Sequence, residues 1–63
     1  MADYRLIFFD RADQPTHRLV LRFADDAQAI EAADRHTEVN AVEVWRGDVL
    51  IRRLPIRPPP GRG

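Results

Sequence analysis

The segment Ala24-Asp25-Asp26-Ala27-Gln28-Ala29-Ile30-Glu31-Ala32-Ala33-Asp34-Arg35-His36 decides the fold. On either side of it, apolar residues are crowded in short runs rich in Val, Leu, Phe and Trp, the composition of strands. Inside it the period changes. Ala27, Ile30 and Ala33 form a narrow apolar stripe at helical spacing, with Asp34 and Thr37 on its flank. Asp25 is the expected N-cap, and Gln28 three residues on completes a capping-box pair. Asp26 lies in the first turn, where negative charge suits the helix dipole, and Arg35 and His36 are placed in the last. The spacing predicts a helix from Asp25 to about Thr37, with alanines small enough to approach a sheet closely.

Working outward, Tyr4-Arg5-Leu6-Ile7-Phe8-Phe9 reads as a first strand and His17-Arg18-Leu19-Val20-Leu21-Arg22-Phe23 as a second. The polar stretch Asp10 to Thr16, with Pro15, joins them as a long hairpin loop. Beyond the helix, Ala41 to Arg46 and Val49 to Leu54 read as two more strands around Gly47-Asp48. The tripeptide Arg46-Gly47-Asp48 is turn chemistry here, not an adhesion signal. The predicted order is β-β-α-β-β: an α+β domain over residues 1–54, a four-stranded antiparallel sheet with one helix on one face. The most apolar strand, the first, is expected inside, in the spatial order 2-1-3-4. Pro55 to Gly63 holds four of the five prolines and two of the three glycines and reads as a flexible tail.

Alternation assigns Leu6, Phe8, Leu19, Leu21, Phe23, Val42, Val44, Val49 and Ile51 to the helix side. It leaves Ile7, Phe9, Val20, Trp45, Leu50 and Leu54 outside, edged by Arg5, Arg18, Arg22, Arg52 and Glu43. An apolar centre with an arginine and tryptophan rim is the composition of a binding surface. The expected interface is therefore Ile7, Phe9, Val20, Trp45, Leu50, Leu54, Arg18, Arg22 and Arg52. Its expected occupant is a second copy, since most soluble oligomers are symmetric. Size argues the same way: 63 residues without a cysteine sit near the lower limit for folding on one small core.

The formal charge is zero, with ten arginines, no lysine and ten acids. The zero conceals a split: residues 1–23 carry +1, residues 24–45 carry −5 and residues 46–63 carry +4. Every cation is thus a planar fork that pairs bidentately with carboxylate or phosphate. Arginines beside Phe9 and Trp45 also resemble a platform for single-stranded nucleic acid. Zero net charge disfavours that alternative. Catalysis is not expected: the chain has no serine, no cysteine and no glycine-rich phosphate loop, and its threonines are only Thr16 and Thr37. Capping accounts for Asp25-Asp26, which would otherwise be a carboxylate pair for acid–base work. His17 and His36 lack ligand spacing, so neither a metal nor a cofactor is expected. No apolar run reaches the roughly 18 residues of a membrane span, and no signal peptide is read at the start. The expected setting is the cytoplasm.

The stretches Tyr4 to Asp10, Phe23 to Ile30 and Glu43 to Ile51 together resemble a group of short bacterial proteins of unknown function. The likeness covers most of residues 4–54. It implies a bacterial cytoplasmic module and carries over no activity and no site residue.

Overall fold

A computed structural model of the chain describes residues 1–57. Strand β1 spans Ala2–Phe9 and β2 Pro15–Phe23; helix α1 spans Asp26–Asp34; β3 spans Ala41–Arg46 and β4 Val49–Leu54. The strands form one antiparallel sheet in the order β2-β1-β3-β4, with α1 against one face. Order, architecture and strand arrangement are as the sequence predicts. The first hairpin is longer at both ends, because Ala2 pairs with Phe23 and Phe9 with Pro15. Proline is tolerated at that first strand position, where no ladder donor is needed. Asp10 closes the loop: its carboxylate accepts from the Ala12 and Gln14 amides at 2.8 and 3.0 Å. Asp13 takes a left-handed φ of 62° there, a conformation aspartate tolerates.

The helix start is as expected in its cap and different in its inner face. Asp25 is extended, and its carboxylate accepts from the Gln28 amide at 2.9 Å. Gln28 reaches back to the Ala24 amide at 3.0 Å, one residue earlier than a capping box requires. The buried helical residues are Ala29 and Ala33, while Ile30 is half-buried and Ala27 is exposed. The inward stripe therefore runs Asp26, Ala29, Ala33 and Thr37, not Ala27, Ile30 and Ala33. It begins on a charged residue because Asp26 is tied to the sheet, which rotates the helix. The regular helix ends at Asp34, so Arg35 is its cap and His36 lies beyond the last turn. Thr37 is buried, and its hydroxyl donates to the Asp34 carbonyl at 2.8 Å.

The core joins Tyr4, Leu6 and Phe8 of β1 to Val42 and Val44 of β3 beneath Ala29 and Ala33. Leu19, Phe23, Ile51 and Leu54 pack around it. Both histidines have structural places, meeting Phe8 edge-on at 5.9 Å for His17 and 5.1 Å for His36. A β-bulge corrects two outer-face assignments. Val44 pairs with Arg52 and Trp45 with Leu50, so Ile51 is the extra residue. The slip sends Leu54 to the helix side, opposite Val42 and against the core. It sends Arg52 there too, opposite Val44, and turns Arg53 outward opposite Glu43. Past β4, the Arg57 amide donates to the Thr37 carbonyl at 2.6 Å and its guanidinium to Asp34 at 2.7 Å. The expected proline-rich tail beyond Arg57 lies outside the described residues. Replacing fully buried Leu6 by Ala should cost about 3 kcal/mol in urea-induced unfolding, since the cavity lies between two strands and the helix.

Candidate functional site

The outer face of the sheet is built in rows by the strand register. One row reads Val20, Arg5, Trp45, Leu50, and the next reads Arg18, Ile7, Glu43, Arg53. Arg22 and Asp3 lie beyond the first row, and Phe9 beside Ala41 lies beyond the second. The structure thus brings Ile7, Phe9, Val20, Trp45, Leu50, Arg18 and Arg22 of the expected surface to one face. It excludes Leu54 and Arg52.

The rings on this face are roofed by cations. Arg5 lies over Trp45 at 5.6 Å and Arg53 over Phe9 at 4.8 Å, both within cation–π range. Glu43 organises the centre. One of its oxygens accepts from the Trp45 indole N–H at 2.9 Å and the other from Arg53 at 2.7 Å. Arg53 also donates to Asp13 on the loop, and Arg22 donates to Asp3 at 3.0 Å. Hydrogen bonds to the two carboxylates, Glu43 first and Asp13 second, hold the Arg53 guanidinium pKa above its usual value. Exposed ion pairs like these contribute little stability singly, but they fix where the cations point. Among the described residues Arg5 and Arg18 have no ion-pair partner. Val20 remains 65% exposed and Leu50 44%. A hollow lined by Ile7, Phe9, Pro15, Thr16 and Arg18 opens where the β1–β2 register slips.

Arg53 and Glu43 carry this arrangement, and strict alternation missed the first. The signal was present: Ile51 and Leu54 are apolar three residues apart with two arginines between. A regular strand cannot send both inward, whereas a bulged one can.

A second polar cluster sits on the helix side. The Tyr4 hydroxyl donates to Asp26 at 2.6 Å, and Arg46 donates to the same oxygen at 2.5 Å. The hydrogen bond to a carboxylate, reinforced by burial, raises the Tyr4 pKa. The same bond, followed by the Arg46 charge, lowers that of Asp26 despite partial desolvation. An acid held ionised this way suits a clamp and not a proton donor. The described residues contain no group of three potential metal ligands, and no helix there is long and apolar enough to cross a membrane. Compared with protein-family models, with curated proteins and with solved structures, the chain matches none.

The clamp predicts a stability profile with two edges. The Asp26 pKa is depressed, so its contribution is present above the ordinary value of 3.8 and is lost as pH falls below it. The Tyr4 pKa is raised, so its contribution is present below 10.0 and is lost as pH rises past it. Tyr4→Phe should lower the thermal midpoint at neutral pH, remove the alkaline loss and shrink the acid one. A variant with the wild-type midpoint at all three pH values would show that the clamp is idle.

Proposed function

We propose that this chain is a small non-enzymatic protein-interaction module that joins a second copy of itself through the outer face of its sheet. The observation that carries the reading is the layer of Phe9 and Trp45 under the guanidinium groups of Arg53 and Arg5, with Ile7 on the same face and exposed Val20 and Leu50 flanking it. Aromatic residues and arginine are enriched in interface centres, where rigid rings give large contact area at small entropic cost. A guanidinium lying on a ring also keeps its edge N–H groups for a facing carboxylate.

A second copy fits because the face carries both signs. Arg5, Arg18, Arg22 and Arg53 are interleaved with Asp3 and Glu43, and Asp13 stands at the rim. A two-fold axis can then set cations of one copy against acids of the other. The same acids weigh against a single-stranded nucleic acid, because Glu43 lies in the middle of the would-be platform and repels phosphate. Two features support a non-catalytic reading. The outer-face carboxylates are engaged by arginine, and the chain supplies no serine or cysteine nucleophile.

Sedimentation equilibrium at micromolar concentration tests the reading. The wild-type chain should exceed its monomer mass. Trp45→Ala should weaken the association by roughly thirtyfold, the effect of losing an interface hot spot of about 2 kcal/mol. A folded Trp45→Ala variant that assembles like wild type would overturn the proposal. Titrating Trp45 fluorescence with single-stranded oligonucleotides at low salt should leave it unquenched; quenching that salt reverses would instead support the nucleic-acid platform.

A further inference from the structure

The two edges of the sheet are managed differently. Strand β4 is six residues long, carries a bulge at Ile51 and runs into Pro55, three devices that spoil pairing with another strand. Strand β2 has nine residues, its only proline is the first, and its pairing with β1 is regular from His17 to Phe23. Its far side presents a row of backbone N–H and C=O groups with no ladder partner among the described residues. Its side chains are mostly exposed on both faces, including Val20 on the outer side and Leu21, 40% exposed, on the helix side.

We propose that β2 pairs edge to edge with β2 of a second copy, antiparallel about a two-fold axis at Leu21, extending the sheet across both chains. Two like strands related by such an axis satisfy each other's free ladder groups. The charge pattern selects the register. Centring on Val20 would set Arg18 opposite Arg22 of the second copy twice over, a like-charge pair. Centring on Leu21 sets Leu19 opposite Phe23 and Val20 opposite the aliphatic stem of Arg22, whose charge is already engaged by Asp3. It also brings His17 opposite Asp25, which is extended and accepts one hydrogen bond from Gln28. Leu21, the more exposed of the two β2 leucines, then meets its own copy on the axis.

This contact rests on the β2 backbone and on Leu21 of the helix side, whereas the face contact centres on Phe9 and Trp45, so separate variants test the two. The edge axis is perpendicular to the sheet and a face-to-face axis lies parallel to it. Where the two axes intersect, the two contacts together generate a closed tetramer with dihedral symmetry.

Leu21→Lys places an ammonium group on the edge axis. In sedimentation equilibrium of the full chain it should halve the wild-type mass while circular dichroism stays unchanged. Val49→Lys, a change at a still more exposed residue on the blunted edge, should leave the mass as it is. If Leu21→Lys halves the mass and Trp45→Ala does not alter it, the edge contact holds and the face contact fails; the opposite pattern removes the edge contact. Amide hydrogen exchange of the wild-type chain supplies an answer that needs no variant. Alternate β2 amides from Leu19 to Phe23 should be protected at high concentration and lose protection on dilution. Outward β2 amides that exchange as fast as those of β4 at every concentration, or a wild-type mass of 7.3 kDa, would overturn the proposal.

Discussion

One short helix has to cover one face of a four-stranded sheet, and it can cover only the middle. The helix has nine residues and approaches through Ala29 and Ala33, which have almost no side chain to hold it off. Beneath it, Tyr4, Leu6, Phe8, Val42 and Val44 are buried on the two central strands. Away from that line the cover thins. Leu21 on one edge strand and Val49 on the other point to the helix side yet stay largely exposed. The exposure of these two edge residues follows from this shortfall.

Two alanines give close approach but little grip, so the helix orientation depends on polar contacts at its ends. Tyr4 and Arg46 hold Asp26 at the start, and Arg57 holds Asp34 at the finish. Three acids of the negative middle segment, Asp26, Asp34 and Glu43, are paired with arginines from outside it. The charge split along the chain is thus a folding device as well as a surface property: opposite charges distant in sequence meet across the helix and the sheet.

On the other face no helix competes for the apolar side chains. Arg5 stands over Trp45 and Arg53 over Phe9, and Glu43 and Asp13 hold the Arg53 guanidinium in place. Such a layer is wet enough for a free chain and apolar enough for a partner. It differs from a bare hydrophobic patch, which would favour indiscriminate association.

The sequence by itself determined the element order, the N-cap at Asp25, the turn at Gly47 and the central place of β1. These rest on local rules: period, capping geometry, backbone freedom and the density of apolar residues. It also sorted Ile7, Phe9, Val20 and Trp45 onto one face, because alternation survives wherever pairing is regular. Only the tertiary structure decided that Asp26 faces the sheet, since an inward carboxylate is sensible only once Tyr4 and Arg46 stand beside it. Only the structure exchanged Arg52 for Arg53 and took Leu54 off the outer face. A bulge is a compromise between two strands, and one extra residue on β4 flips every side chain beyond it. The difference between a blunted β4 edge and an open β2 edge was likewise set by pairing, which fixes which strands are left at the margin.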